Sequence, residues 1–293
     1  MSDNYLKWLL LGILSLIWGS SFILMKYGLE VYPSGQVGAL RILFASVVLL
    51  PIALKKIKKL PAKKIKILFI SGLLGSFFPA FLFAKAQTEI NSSLAGILNT
   101  LTPVFVLVTG LVFFKQTSNK QTFYGMALGV IGSVILISTG NEGLFTDFNY
   151  YGLFVITATV LYGFNLNIIK YYLSDVDSLT ITSVSLLFLL PLDATYLFLF
   201  TPFIEVTTSD PHALKALLFI FLLGVLSTSF ALILFNKLVK LTSPLFTSTV
   251  TYLIPIVAIF WGVLDKEIIK GGHIIGMGLI LGGIYLINRT RRK

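Results

Sequence analysis

Cysteine is absent from this chain of 293 residues, so a disulfide framework and a thiolate metal site are both excluded. Histidine is almost absent, with only His212 and His273, and acidic residues number 12 against 23 lysines and arginines. Both histidines fall at predicted loop or helix ends, and no acids cluster. An intramembrane transferase or hydrolase therefore has no residue set to draw on, and no catalytic residue, metal or cofactor is expected. Charge of either sign is scarce, at 12% of residues. With 56% hydrophobic residues and a mean hydropathy of +0.91, a water-soluble globule would expose apolar surface on a large scale. The chain reads instead as an all-α polytopic membrane protein in contact with lipid.

What is abundant is apolar helix. A bilayer core of about 30 Å takes roughly 20 apolar residues per crossing. Segments of that kind at 6–25, 36–54, 67–86, 93–114, 122–140, 150–170, 179–200, 214–235, 243–264 and 271–288 predict ten transmembrane helices. The first differs from a signal peptide in its length, its Trp18-Gly19-Ser20-Ser21 core and its likeness to a segment in mid-chain, so it is expected to stay as a helix. A net charge of +11 would point to nucleic acid in a soluble protein. Here the basic residues segregate instead. With the N-terminus cytoplasmic, seventeen of them, among them the run from Lys55 to Lys66, fall on inner flanks and five on outer ones, leaving Arg41 between. The positive-inside rule then predicts both termini in the cytoplasm, and the lysine run anchors that orientation on anionic lipid.

The chain also repeats itself. Leu101-Thr102-Pro103-Val104 returns as Leu253-Ile254-Pro255-Ile256, a shift of 152. Gly125-Met126-Ala127-Leu128 with Gly132 returns as Gly276-Met277-Gly278-Leu279 with Gly283, a shift of 151. Upstream, Trp18-Gly19 and Lys26-Tyr27 answer Tyr162-Gly163 and Lys170-Tyr171 at 144. These matches divide the chain into two units, 1–142 and 143–293, of five spans each. An odd number of spans inverts the second unit, and inverted repeats around a central cavity are a recurring plan of secondary transporters.

The motifs resemble the EamA repeat of the drug/metabolite transporter superfamily. They are Trp18-Gly19-Ser20-Ser21-Phe22, Arg41 in the second span, Thr102-Pro103-Val104-Phe105 and a glycine-rich fifth span. In the second unit come Pro255, Trp261-Gly262-Val263-Leu264 and an acidic end at Asp265 and Glu267. The resemblance covers almost the whole chain. It implies a ten-helix bundle around a substrate cavity in a cell membrane, in bacteria the inner one, and often export of amino acids or related metabolites. One departure stands out: Lys115-Gln116 replaces the acid that closes the fourth span in the family pattern.

Candidate site residues follow from the residues and the repeat. Pro103 and Pro255 each remove a backbone donor and free the carbonyl four residues earlier, which is tolerated at membrane depth where it faces protein or a wet cavity. At matching depth stand Asn99 with Thr251 and Thr100 with Tyr252. In the first and sixth spans Ser15 answers Thr159, Trp18 answers Tyr162 and Ser21 answers Asn165, with Asn167 as an extra amide. Phe78 and Ser227 correspond at 149. Rings mixed with hydroxyls and amides suit a small organic solute, neutral or zwitterionic. Interhelical hydrogen bonding and ring packing account for the same residue types equally well, at about 0.6 kcal/mol per polar contact. Arg41 and Asp193, ionisable inside the membrane, are candidates for a gating pair. No acid occupies the middle of the first span, so proton coupling, exchange and facilitation all remain open. The glycines at 125, 129, 132, 276, 278, 282 and 283 could pack helices within one chain or between two, leaving monomer and homodimer both compatible.

Overall fold

A computed structural model describes residues 3–90, 92–140, 150–264 and 270–289, with side chains described for most of these. Among them no strand occurs. The helices are α1 (Asp3–Leu29), α2 (Ser34–Ile57), α3 (Ala62–Ala86), α4 (Ser92–Asn99), α5 (Thr102–Phe113), α6 (Lys120–Gly140), α7 (Gly152–Tyr172), α8 (Ser178–Leu199), α9 (Phe203–Ser209), α10 (Ala213–Leu241), α11 (Pro244–Ser248), α12 (Val250–Leu264) and α13 (Gly271–Arg289). Seven stretches are long and apolar enough to cross a membrane, and Pro244–Val257 and Gly271–Ile287 are shorter apolar helices.

Three features depart from uninterrupted spans. Leu73–Phe77 within α3 and Leu223–Phe230 within α10 are π-helical. The fourth predicted span is broken between α4 and α5, with Pro103 in the first turn of α5. There the expected free carbonyl of Asn99 is taken by the Thr102 hydroxyl at 2.8 Å. The span that follows ends in a turn with Lys115 at φ 52°, where glycine is the usual occupant.

Contacts between helices come in matched pairs under the sequence repeat. α1 packs on α12 as α7 packs on α5, α1 on α10 as α7 on α3, and α2 on the π-helical part of α10 as α8 on α3. α2 meets α8, and α6 meets α13. The match reaches single residues. A Cβ on Gly19 would lie 2.7 Å from Val257, and one on its counterpart Gly163 would lie 2.8 Å from the backbone of Phe105, the counterpart of Val257. At the α6–α13 crossing a Cβ on Gly125 would reach the Gly283 carbonyl, and one on Gly132 the Gly276 carbonyl, each at 2.8 Å. These glycines pack within one chain, whereas Gly278 and Gly282 have open space around them.

One end of the bundle is closed by lysines. Lys64 donates to the Tyr172 carbonyl (2.7 Å) and pairs with Asp175, while Lys170 donates to the Thr242 carbonyl (2.8 Å) and Lys240 to that of Val176 (2.7 Å). Ammonium groups at helix C-termini satisfy carbonyls that have no partner within the helix. Asp177 caps α8 by accepting from the Thr180 amide at 2.9 Å, and meets Lys56 at 3.3 Å. Burial pushes its carboxyl up, but the hydrogen bonds from Thr180 and Lys56 outweigh that and hold it below the usual range.

Two stability outcomes follow. Gly132→Val is expected to destabilise by about 1–3 kcal/mol through overpacking, and Gly278→Ala to leave thermal unfolding in detergent nearly unchanged; equal shifts would contradict the packing assigned to this crossing. Asp177→Ala should cost about 1 kcal/mol as a lost cap. Because the folded carboxyl titrates low, that difference should be present at neutral pH and shrink as pH falls through and below the usual carboxylate range.

Candidate functional site

A cavity of about 110 Å³ lies between the two sets of helices. A single water needs roughly 10–15 Å³ on this measure, so the space holds several waters or a small solute. Its wall is drawn from α1, α2, α3, α7, α8 and α10, from the α4–α5 break and from the start of α12. The glycine of each π-helical segment allows close approach: a Cβ on Gly75 would collide with the Asn165 amide, and one on Gly224 would lie 2.6 Å from the Arg41 carbonyl.

Rings form much of the lining. Trp18 packs edge-on to Phe235 with centroids 4.9 Å apart, and Phe83 lies between Phe22 and Tyr162 at 6.4 and 6.3 Å. Trp18 also donates its Nε1 proton to the Ser227 carbonyl at 2.8 Å, tying α1 to the π-helical part of α10. Among the polar groups, the Ser71 hydroxyl donates to Asn165 Oδ1 (2.6 Å) and Asn236 Nδ2 to the Thr182 hydroxyl (2.9 Å). Asn99 Oδ1 accepts from Thr102 at 3.2 Å, while the Ser21 and Thr251 hydroxyls bond carbonyls three residues back. Arg41 Nε donates to the Thr228 hydroxyl at 2.7 Å. The hydroxyls of Ser185 and Ser227 are buried without a partner.

Of the residues singled out in the sequence, Trp18, Ser21, Asn99, Tyr162, Asn165, Ser227, Thr251 and Arg41 come together on this wall. Phe78, Thr100, Tyr252 and Asp193 do not. Phe78 is 45% exposed, its ring edge-on to Phe77. Its repeat counterpart Ser227 lies inside the longer π-helical segment of α10, whereas the segment in α3 ends at Phe77. A π-helix has more residues per turn, so unequal segments place residues of equal depth on different faces. Thr100 is fully buried and bonds the Ile97 carbonyl. Tyr252 is buried against Gly129. Pro103 and Pro255 shape α5 and α12 from behind the wall.

Asp193 is fully buried in α8, and neither of its oxygens has a hydrogen-bond partner. It forms no ion pair with Arg41, whose Nε is bonded to Thr228. Asp265 and Glu267 lie outside the described residues, as do the side chains of 261–264. Gln116, in place of the family's acid, donates to Asn167 Oδ1 at 2.7 Å. Asn167 in turn donates to the Val106 and Gly163 carbonyls and the Thr109 hydroxyl at 2.9–3.0 Å. The extra amide is therefore a tie between α7 and α5.

Ser71, Thr182, Ser185, Thr228 and Asn236 also line the cavity and were not singled out in the sequence. Ser185 was within reach, since it is the counterpart of Arg41 at the same shift of 144 that relates α1 to α7.

The sequence matches the EamA-like transporter family over residues 6–138 and 150–289. It is 26% identical over 289 residues to an uncharacterized transporter of Archaeoglobus fulgidus, covering 97% of this chain and 99% of that protein. It is also 26% identical over 293 residues to the uncharacterized transporter YoaV of Bacillus subtilis, covering 97% and 98%. A protein of known crystal structure shares the fold with a TM-score of 0.75 at 18% identity, over 97% of this chain and 96% of that one.

Replacing Asn167 by Leu takes the partner from Gln116 Nε2 and one donor from three acceptors, and should cost about 1–3 kcal/mol. Asn165→Ala, on the cavity side, should cost less. Thermal unfolding of the two variants checks the order.

Proposed function

The chain belongs to the EamA-like transporter family, and from that premise we propose that it is a secondary transporter exporting small organic metabolites, amino acids or related zwitterions, by alternating access. The observation that carries this reading is the cavity whose wall takes rings, hydroxyls and amides from both halves of the repeat. A scaffold has no need of matched polar groups around a void, whereas a carrier uses them to exchange a solute's hydration for protein contacts.

In this reading residues 1–142 and 143–293 are two inverted units of five transmembrane helices each, ten in all, in a cell membrane, for a bacterium the inner one. Both termini are cytoplasmic, in keeping with the lysines gathered at one end of the bundle. Inversion makes the packing of one unit on the other nearly equivalent from either side. The reciprocal contacts of α1 with α12 and of α7 with α5 supply what such an exchange requires. Trp18 and Tyr162 take the apolar part of the solute, while Asn99, Asn165, Ser21, Ser227 and Thr251 take its polar groups.

Counterflow into proteoliposomes, screened over amino acids, sugars, nucleosides and cationic drugs, tests the proposal. Labelled amino acids are expected to accumulate. Trp18→Ala, Asn99→Ala and Tyr162→Ala should each lower uptake about tenfold, equivalent to about 1.4 kcal/mol, with the protein still folded. Accumulation of no solute sinks transport altogether; accumulation of sugars or nucleosides alone keeps transport and discards the amino-acid class.

A further inference from the structure

Arg41 is the only charged side chain on the cavity wall among the described residues. It stands seven residues into α2, about 10 Å from the helix start at 1.5 Å per residue. Its Nε is turned inward onto Thr228 at 2.7 Å, so the guanidinium does not reach back toward the membrane surface. The two remaining nitrogens, Nη1 and Nη2, have no hydrogen bond and no ion pair among the described residues. The terminal edge that Thr228 leaves free is the fork that binds a carboxylate through two parallel hydrogen bonds. An unpaired cation within the bundle is costly, and no acid on the wall offsets it.

Other unused groups share this wall. Ser185 and Ser227 belong to it with hydroxyl oxygens buried away from the void and without a partner among the described residues. The Tyr162 hydroxyl on α7 is an electrostatic neighbour of the guanidinium and forms no hydrogen bond to the described residues. A fixed cation with flanking rings makes up a site for an anionic group attached to an apolar body.

We propose that Arg41, oriented by Thr228, is the carboxylate subsite of this cavity, and that the solute carries one carboxylate. The inference rests on the transporter reading and deepens it. A single guanidinium neutralises one carboxylate. A phosphate monoester carries a charge of about −1.5 to −2 and would need a second cation, which the wall lacks. Sugar phosphates and nucleotides are therefore disfavoured, as are solutes whose only charge is positive. Since no acid on the wall receives an ammonium, the carboxylate is the anchor and the ammonium of a zwitterion is dispensable.

The test uses the full chain in detergent and in proteoliposomes with matched probes. These are leucine and phenylalanine, their amides, 3-methylbutylamine and phenethylamine, 4-methylpentanoate and 3-phenylpropanoate, and 3-methylbutyl phosphate. Binding is read as thermal stabilisation and transport as counterflow. The amino acids and the plain carboxylates are expected to bind at least tenfold more tightly than the amides, the amines and the phosphate ester. Arg41→Gln should erase the difference between acid and amide. Should Arg41→Gln fail to fold, Thr228→Val, which removes only the orienting contact, should weaken carboxylate binding about threefold and leave amide binding unchanged. The inference is overturned if the amides, the amines or the phosphate ester bind as tightly as the acids, if no carboxylate binds, or if both variants leave the acid-to-amide ratio as it was. Carboxylate binding without counterflow of any probe would instead overturn the transport reading and leave the subsite standing.

Discussion

Hydrocarbon offers no hydrogen bonds, so a polar group taken into the membrane has to find its partner within the chain. Most of those described here do so locally. Ser15, Ser20, Thr109, Ser133 and Thr159 return their hydroxyls to carbonyls three or four residues back, and Asn167 uses its whole amide. Some do not, and among the described residues several of these, Gln36, Ser183 and Asp193 with them, lie away from the cavity. The free edge of Arg41 and the hydroxyl of Tyr162, by contrast, belong to its wall.

The void depends on how closely the helices approach elsewhere. Gly19 and Gly163 bring α1 and α7 against α12 and α5, and the Gly125–Gly283 and Gly132–Gly276 contacts join α6 to α13. With the backbones that close, the rings of Trp18, Phe83, Tyr162 and Phe235 have room between the helix pairs. The π-helical segments act on the same space from α3 and α10, where Gly75 and Gly224 let each helix reach the opposite half. Position in the repeat thus sets which helices touch, and glycine sets the distance.

Much of this was legible in the letters. Apolar length predicted the helices, and matching Gly19 to Gly163 and Pro103 to Pro255 predicted which helices correspond. Eight of the singled-out residues lie on one wall because depth and helix identity survive the repeat. Facing does not survive it. Phe78 and Ser227 share a depth but are turned apart by π-helical segments of unequal length, which no local residue preference announces. Tyr252 and Thr100 were read as wall residues from polarity at matching depth beside the prolines, whereas a buried tyrosine beside Gly129 is a packing element. Arg41 was read as half of a gate because Asp193 was the other charge at comparable depth. In this structure the two do not meet: Arg41 Nε bonds Thr228, and Asp193 stands apart from the cavity wall.

The counterparts Arg41 and Ser185 break the symmetry of the repeat at the point where it matters for transport. Two inverted units with the same side chains would hold a solute equally from either side; a charge on one alone gives the cavity a polarity that persists in both states. If the cargo supplies the missing anion, the empty cavity carries one uncompensated positive charge and the loaded one carries none for a plain carboxylate. Closing a low-dielectric bundle around a bare cation is the more costly of the two movements.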